Sequence, residues 1–360
     1  MTDGATLTLA VVIARTSLTL LHGMLFLSVA LSAAVVAATP LQRRTPSGVP
    51  SFVLDYAPVV FLFSGEQYKP ADIGAQLANT KPEVNAATIA NAPNPLTLDN
   101  LNALNGLGGT NVYLTSTSDV TTNPAWLKGV TPDASGKTGG ANSSVIVVND
   151  HGNGNVDAFY FYFYAFDFGG IYFGVNVGNH VGDWEHTMVR FVNGKPSQMW
   201  YSQHSNGEAF SYGAVQKYKG GKRPVVYSAN GTHANYAIPG THDHTIPNVN
   251  LPLGPLEDHT DAGALWDPAL AAYYYSFNAA SQTFTPYDSS TPTNYLYFNG
   301  HWGDAQYPTN DKRQRCVLGI SQLCKYTGGP TGPLDKQLNR TSVCPDNGNE
   351  CIVRPILTPK

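Results

Sequence analysis

Four ionisable side chains lie within the eight residues Asn179–His186, in a chain in which only 13% of residues are charged. If a strand begins at Asp183, then Asp183 and Glu185 point to the same face, about 6.6–6.8 Å apart along the strand. Two carboxylates at that separation can converge on one cation. His180 can fold back onto the same face through the intervening glycine, whereas His186 points to the opposite face.

A further acid, Asp167, follows a predicted aromatic strand and precedes the turn Gly169-Gly170, which would bring the next strand alongside the first. We therefore predict a metal site formed by Asp167, His180, Asp183 and Glu185. Three carboxylates and one imidazole suit Mg²⁺, Ca²⁺ or Mn²⁺ better than structural zinc.

Two other roles fit the same acidic residues. Asp183 and Glu185 can cap turns and pair with Arg190 or Lys195, in which case the cluster is only structural. Alternatively, the paired carboxylates act as general acid and general base, because like charges held close together raise one of the two pKa values. The sequence leaves these alternatives open.

Two predicted strands end in a histidine that lies beside hydroxyl-bearing residues, namely His204 and His233. We predict that both side chains line the same cavity as the cation. In a metal-dependent hydrolase they would handle protons while Asp183 or Glu185 activates a cation-bound water. The alternative is that each histidine is a hydrogen-bonded structural residue at a strand end.

Several function classes are disfavoured. The sequence contains no Gly-x-Ser-x-Gly, no His-Glu-x-x-His, no Walker sequence and no Gly-x-Gly-x-x-Gly between a strand and a helix, which counts against familiar hydrolases and nucleotide-binding proteins. The formal net charge is −4, and Lys217–Arg223 is the main basic cluster. We therefore predict that the protein does not bind nucleic acid.

The composition favours strands and turns, with 20 Tyr, 35 Gly and 25 Pro. In Phe159–Tyr164 the Phe and Tyr residues alternate, which predicts a strand with one core face and one amphipathic face. Further strands are expected at Val59–Phe63, Glu185–Val192, Met199–His204 and Pro224–Ala229. The predicted fold is mainly β, an antiparallel β-sandwich with a few short helices and a disulfide-stapled C-terminal tail.

The short helices are predicted at Pro70–Ala78, Leu98–Asn105 and Pro268–Tyr275, because proline is favoured in a first helical turn and glycine ends the second of these segments. The predicted sandwich domain covers residues 45–302. Residues 303–360 form the expected tail, which is rich in Gly, Pro and Cys.

Residues 1–44 are predicted to be a signal peptide and pro-segment. The uncharged stretch Leu18–Ala38 follows Arg15 and ends in small residues suited to signal-peptidase cleavage, and a shorter apolar core begins at Met24. Arg43-Arg44 is a candidate dibasic processing site. The alternative is a retained anchor, because Leu18–Ala38 is just long enough to span a bilayer. The expected location is the secretory pathway, with the vacuole or the extracellular medium as the destination.

All four cysteines lie in the tail, and an even count is typical of disulfides in an oxidising compartment. We expect Cys316–Cys324 and Cys344–Cys351, because closing short loops has the smaller entropic cost. The pairing Cys316–Cys351 with Cys324–Cys344 is the alternative. A zinc site is disfavoured by the absence of a Cys-x-x-Cys pair. Three Asn-x-Ser/Thr triplets, at Asn142, Asn230 and Asn339, predict a glycoprotein if the chain is exported.

Four separated motifs resemble those of the fungal vacuolar protein sorting-associated protein 62 family, which has plant relatives of unknown function. They are Asp55–Val60, Glu66–Pro70, Gly182–His186 and Tyr227–Ala234, and the resemblance covers roughly Asp55–Trp302. It implies a role in delivering proteins to the vacuole, without a mechanism.

The segment His180–Glu185 also resembles the Gly-His-Arg-His-Asp-Trp-Glu heptapeptide of the necrosis- and ethylene-inducing-like proteins. Those proteins are β-sandwich cytolysins whose cation site engages plant sphingolipid head groups. The resemblance implies that the three ionisable residues of the segment are cation ligands, and that Asp167 is the acid at the end of the preceding strand. Asn179 and Gly182 stand where that family has Gly and a second His, which counts against membrane lysis.

The leading hypothesis is a secreted or vacuolar β-sandwich protein that binds a polar ligand, a glycan or a lipid head group, through a divalent cation. A peripheral contact with a membrane is part of this hypothesis. The alternatives are a metal-dependent hydrolase and a non-catalytic sorting or structural protein.

Overall fold

The computed structural model describes residues 46–172, 174–243 and 256–357. The predicted signal peptide and pro-segment, and with them the alternative of an anchor, lie outside the described residues. Within these ranges, no helix combines the length and the hydropathy needed to span a membrane.

Strands account for most of the regular structure. In chain order they are β1 Val59–Phe61, β2 Thr80–Val84, β3 Ala87–Thr88, β4 Tyr113–Ser116, β5 Ser144–Gly152, β6 Asn155–Asp167, β7 Ile171–Tyr172, β8 Val175–Asn176, β9 His180–Val192, β10 Lys195–Gln203, β11 Asn206–Ser211, β12 Val225–Ser228, β13 Asn235–Tyr236, β14 Gly240–Asp243, β15 Glu257–Thr260, β16 Leu265–Trp266, β17 Ala272–Asn278, β18 Thr283–Pro286 and β19 Val353–Arg354.

The helices are short. Two α-helices, α1 Ser51–Asp55 and α2 Ile73–Ala78, occur together with 3₁₀ turns at Leu101–Gly106, Gly109–Asn111, Val120–Thr122, Ala125–Lys128, Tyr218–Gly220, Pro268–Leu270, Asn294–Tyr297, Val317–Gly319, Ser321–Leu323 and Pro333–Lys336. The predicted helix at Pro70–Ala78 is found as α2, which the carboxylate of Asp72 caps by accepting a hydrogen bond from the N–H of Ala75 at 2.8 Å.

The main sheet has the strand order β18-β17-β5-β6-β9-β10-β11-β19, and its centre, from β5 to β11, is antiparallel. A second sheet, β13-β12-β1-β16, covers one face of it. The mainly β, sandwich-like architecture agrees with the prediction. The sheets are not purely antiparallel, however. After long connections, β17 pairs in parallel with β5, β19 with β11, and β12 with β1.

The alternating strand β6 contributes to two cores. Its Phe side chains pack with α2, the 3₁₀ turns and the tail, while its Tyr side chains pack against the second sheet. The Tyr face is therefore buried as well, which corrects the expectation of an amphipathic face. The Tyr hydroxyl groups are accommodated by hydrogen bonds, for example from Tyr160 to the carbonyl of Val53 at 2.6 Å and between Tyr162 and Thr187 at 2.8 Å.

The predicted helix at Pro268–Tyr275 is wrong beyond its first turn. A 3₁₀ turn covers Pro268–Leu270, and the chain then enters β17, which pairs in parallel with β5. Aromatic residues are favoured in strands, and this pairing buries Tyr274 and Tyr275. The predicted helix at Leu98–Asn105 is found as a 3₁₀ turn, Leu101–Gly106.

The tail is attached to the sheet at several points. β19 extends the main sheet, and the guanidinium group of Arg190 donates hydrogen bonds to the carbonyl groups of Arg340, Thr341 and Ser342. The disulfides are Cys316–Cys324 and Cys344–Cys351, which is the expected pairing. Of the glycosylation candidates, Asn230 and Asn339 are exposed, whereas Asn142 is half-buried.

We predict that reduction of the disulfides lowers the melting temperature of the protein. Replacing Cys344 and Cys351 together by Ala opens a loop with a sequence separation of 7. The loop-entropy relation gives a loss of about 2–3 kcal/mol in the free energy of unfolding, measured by urea denaturation. If alkylation detects the same number of free thiols before and after reduction, the disulfides do not form in solution.

Candidate functional site

A cavity of about 330 Å³ opens beside the paired ends of β6 and β9. That volume is within the range of small-molecule sites. The two strands supply Asp167, His180, Asp183 and Glu185, the β10–β11 turn supplies His204, and the tail supplies part of the wall. Among the residues that the structure describes, the lining consists of Asp167, Gly169, Gly170, Val177, Gly178, His180, Asp183, Trp184, Glu185, His204, Thr232, Leu256, Leu323, Thr327, Pro330 and Lys336.

The antiparallel pairing of β6 with β9 sets the positions of the acidic side chains. Asp183 lies opposite Tyr164, Glu185 opposite Tyr162, and Asp167 opposite His180. Asp183 and Glu185 therefore share the tyrosine face of the sheet, as expected from their spacing.

Gly182 interrupts the alternation of side chains along β9. Its φ is +66°, and a Cβ atom at this position would lie 2.2 Å from the carbonyl oxygen of Trp302. Only glycine fits this combination of a left-handed backbone and a close approach. Strict alternation along the paired strands would place Asp183 and Asp167 on opposite sides, yet both line the cavity. One side-chain ligand atom from each of Asp167, Asp183 and His233 lies within 4.8 Å of the others.

The imidazole of His180 has the orientation of a metal ligand. Its Nδ1 lies 2.7 Å from the carbonyl oxygen of Gly182, so Nδ1 carries the proton and donates, which leaves the lone pair on Nε2. Nε2 is 3.7 Å from Oδ2 of Asp167. Burial lowers the pKa of His180 below its ordinary value, which favours the neutral ring.

Asp167 and Glu185 are both buried, and the pKa of each carboxyl group is raised well above its ordinary value, first by burial and then by the negative charge of Asp183. Oε2 of Glu185 accepts hydrogen bonds from the hydroxyl of Ser202 at 2.9 Å and from the amide of Asn235 at 3.3 Å. Burying several carboxylates together is unfavourable unless positive charge compensates them.

His233 does not line the cavity, contrary to the expectation from the sequence. Its ring is fully buried and stacked on Tyr164, and both ring nitrogens are engaged. Nδ1 is 2.9 Å from Oδ2 of Asp183, and Nε2 is 2.8 Å from the carbonyl oxygen of Tyr68. Burial lowers the pKa of His233, but the hydrogen bond to Asp183 and the charge of Glu66 outweigh it, and the net shift is upward. His233 therefore orients Asp183 from behind.

His204 does line the cavity. Its Nε2 is 2.8 Å from Oδ2 of the buried Asp258, whose carboxylate also accepts hydrogen bonds from the hydroxyl groups of Thr232 at 2.6 Å and Tyr236 at 2.7 Å. Burial lowers the pKa of His204, but the charge of Asp258 and the hydrogen bond to it outweigh that effect and raise the pKa to about 9. His204 is therefore an imidazolium at neutral pH, which a metal ligand is not.

Comparison with known proteins assigns the family. The model of the family described as "Vacuolar protein sorting-associated protein 62" matches residues 167–309, which include the cavity residues of β9. Vacuolar protein sorting-associated protein 62 of Saccharomyces cerevisiae is 35% identical over 335 residues, covering 84% of this chain and 69% of the relative. TDA6 of the same yeast, provisionally named as a vacuolar protein sorting-associated protein, is 40% identical over 334 residues with the same coverage.

The chain belongs to the vacuolar protein sorting-associated protein 62 family.

Solved structures add little to this assignment. A protein named NLPPya, solved in complex with mannosamine, is 14% identical and covers 66% of this chain and 79% of its own, with a TM-score of 0.29. Necrosis and Ethylene inducing Protein 2, from the causal agent of cocoa's Witches Broom disease, is 15% identical, covers 54% of this chain and 70% of its own, and has a TM-score of 0.27. At these TM-scores no inference about the site is drawn from them.

In this family member the acidic cluster does not pair with Arg190 or Lys195, the two basic residues that the sequence offers as partners. Arg190 instead forms an ion pair with Asp157 at 2.8 Å, and Lys195 begins β10 at the far end of the sheet. The cluster is backed by His233, which in turn lies 3.8 Å from Glu66.

Three site residues were missed in the sequence. Asp258 is 54 residues from its partner His204 in the sequence. Glu66 accepts a hydrogen bond at 2.7 Å from the N–H of Gly231, which is 165 residues away. Lys336 lies in the predicted tail, for which the sequence indicates no role in the site. No local spacing connects them to the cluster. Glu66 did carry one signal, because it lies in a motif that the chain shares with the family.

Replacing Gly182 by Ala should destabilise the protein by more than about 1 kcal/mol, because the methyl group forces a change in the left-handed backbone or in the segment at Trp302. The measurement is the free energy of unfolding in urea. Gly213→Ala is a matched control, because that residue has open space around its Cβ position. Equal stability of the two variants would mean that the irregularity at Gly182 is not required.

The contribution of the His204–Asp258 ion pair to stability should depend on pH. The pKa of His204 is raised from 6.5 to about 9, so the stabilisation is fully present below pH 6.5 and is lost as pH rises through 9. The difference in melting temperature between the wild type and His204→Gln should therefore be largest near pH 6 and smallest near pH 10. A difference that stays constant over this range would contradict the assignment of the charge.

Proposed function

We propose that this family member holds a divalent cation with Asp167, His180, Asp183 and Glu185, and uses it to bind a polar ligand, a glycan or a lipid head group. Mg²⁺, Ca²⁺ and Mn²⁺ fit a donor set of carboxylate oxygens with one imidazole. The main support is that these four side chains line one cavity, with His180 fixed in the tautomer that directs the Nε2 lone pair toward Asp167.

The balance of charges around the carboxylates and the hydrogen bonds that orient them both agree with this proposal. Five buried carboxylates, those of Glu66, Asp167, Asp183, Glu185 and Asp258, outnumber the three neighbouring groups that can carry positive charge, which are His204, His233 and Lys336. A divalent cation would offset the remaining negative charge. Hydrogen bonds also orient two of the carboxylates, that of Asp183 through His233 and that of Glu185 through Ser202. The ligands of metal sites are usually oriented by such neighbouring groups.

The side chains of His180 and His204 keep 19% and 33% of their surface exposed, so a ligand can reach the cavity and complete the coordination of the cation. Oxygen atoms of sugar hydroxyl groups or of a lipid head group are suitable additional ligands for these hard cations. The relatives are named for vacuolar protein sorting, and we accordingly assign the activity to the secretory pathway or the vacuole.

Glu185→Gln tests the cation site. Glutamine keeps the size of the side chain and can accept the hydrogen bond from Ser202, but it lacks the charge. We expect wild-type protein to contain stoichiometric Ca, Mg or Mn by plasma mass spectrometry and to melt at a higher temperature when the metal is added. Glu185→Gln should lose both properties and, without metal, be at least as stable as the wild type, because like-charge repulsion is reduced.

Asp304→Asn is the matched control for this experiment. Asp304 is also a buried acid, but it lines a different cavity and accepts a hydrogen bond from the N–H of Ser116. Its substitution should leave metal content unchanged. If the reloaded wild type holds no metal, and chelator leaves its melting temperature unchanged, the cluster is structural.

A metal-dependent hydrolase is the second candidate, favoured by one observation. The protonated His204, held by Asp258, lies in the same cavity as the carboxylates and is suited to protonating a leaving group. Turnover on a panel of phosphate esters and glycan esters that is abolished by Asp183→Asn would identify an enzyme. Cation-dependent binding without turnover would identify a binding protein.

A further inference from the structure

The cavity has a positively charged wall that the cation site does not use. His204 in the β10–β11 turn and Lys336 at the end of a 3₁₀ turn line it together with the carboxylates. Both cationic groups line the cavity together with Glu185, and each acts to lower the pKa of that carboxyl group against the larger effect of burial. The cavity therefore combines a cluster of carboxylates with two cationic groups.

His204 is held in place by its surroundings. Nε2 donates to Asp258, a carboxylate that is only 1% exposed, while the side chain of His204 remains 33% exposed. The residue has a φ of +54° in a two-residue turn, a conformation that favours glycine or asparagine. This turn presents the side chain at the edge of the cavity.

Lys336 is positioned by the docking of the tail. Just beyond it, Arg340 donates a hydrogen bond to the carbonyl of Lys336 at 2.8 Å and another to Nε2 of His186 at 2.8 Å. The carbonyl of Leu338 accepts a hydrogen bond from the buried Asn149 at 2.8 Å. The backbone that carries the Lys336 ammonium group is thereby fixed against the main sheet.

A neutral sugar would form only weak electrostatic interactions with the two cationic groups. An anionic group would be attracted by both of them and by the metal. We propose that the ligand carries a phosphate ester whose oxygen atoms bridge the bound divalent cation to His204 and Lys336. This inference rests on the proposed cation site. A tetrahedral phosphate group presents several oxygen atoms in different directions, so one group can contact the metal and both side chains.

The test is a titration of Mn²⁺-loaded protein with glycerol phosphate by calorimetry, together with Mn²⁺ binding measured separately. We expect His204→Gln and Lys336→Met each to weaken phosphate binding, and the double variant to weaken it at least tenfold without any loss of Mn²⁺ affinity. Glu185→Gln should lose Mn²⁺ and phosphate binding together. Methyl glucoside, a neutral sugar, should bind no more weakly to the double variant than to the wild type.

His151→Gln and Lys195→Met are the matched controls, and both should bind phosphate as the wild type does. His151 also contacts a buried carboxylate, that of Asp157 at 2.8 Å, but it lies with Lys195 at the opposite end of the sheet from the cavity. The controls therefore separate a general effect of charge from an effect of the cavity.

Vesicles distinguish a lipid head group from a soluble phosphate ester. Binding to phosphatidylcholine vesicles that contain phosphatidic acid, but not to glycerol phosphate, would assign the phosphate to a lipid. The inference is overturned if Mn²⁺-loaded wild type binds neither probe, if the double variant binds phosphate as well as the wild type, or if phosphate binding does not require the metal. Mn²⁺ binding that persists in these cases would leave the cation site intact, whereas its absence from the wild type would overturn both proposals.

Discussion

The antiparallel pairing of β6 with β9 is the interaction on which the other features depend. The two strands are paired from Asn155 opposite Val192 to Asp167 opposite His180. Their side chains form parts of both cores, and their paired ends carry the carboxylates of the cavity. Because side chains alternate along a strand, a shift of register by one residue would exchange the two faces of the strand. Asp183 and Glu185 would then point toward the core that contains the phenylalanine side chains.

The register alone does not create the site. A regular β9 would place the side chains at positions 180 and 183 on opposite faces, yet both line the cavity, and the left-handed Gly182 lies between them. The carboxylates that are brought together then need support, which comes from His233 behind Asp183 and from Ser202 and Asn235 beside Glu185. The main sheet thus ends in a group of charged side chains whose burial is unfavourable. Local features that oppose the stability of the fold in this way are typical of functional sites.

Local patterns in the sequence predict β1, β6, β10, β12 and most of β9, together with the part of the site within β9. Alternation predicted β6, and the spacing of Asp183 and Glu185 predicted their common face. The tyrosine-rich segment at Tyr273–Tyr275 was assigned to a helix because its partner, β5, is distant in sequence, and parallel pairing leaves no local mark. Asp258 could not be predicted for the same reason, since its contact with His204 depends on how the second sheet folds over the first.

Local patterns in the sequence do not reveal that the folded tail contacts the cavity. Its composition and cysteines indicated a loop-rich appendage, yet Leu323, Thr327, Pro330 and Lys336 form one side of the cavity. Cys324 lies next to the first of these wall residues, and its carbonyl oxygen accepts a hydrogen bond from the N–H of Gly178, just before β9. The disulfide that closes the loop at Cys324 thus restricts the chain at the point where the tail meets the strand that carries His180 and Asp183. Cross-linking at this point limits the conformations of the wall, so the tail is part of the site rather than an extension of the domain.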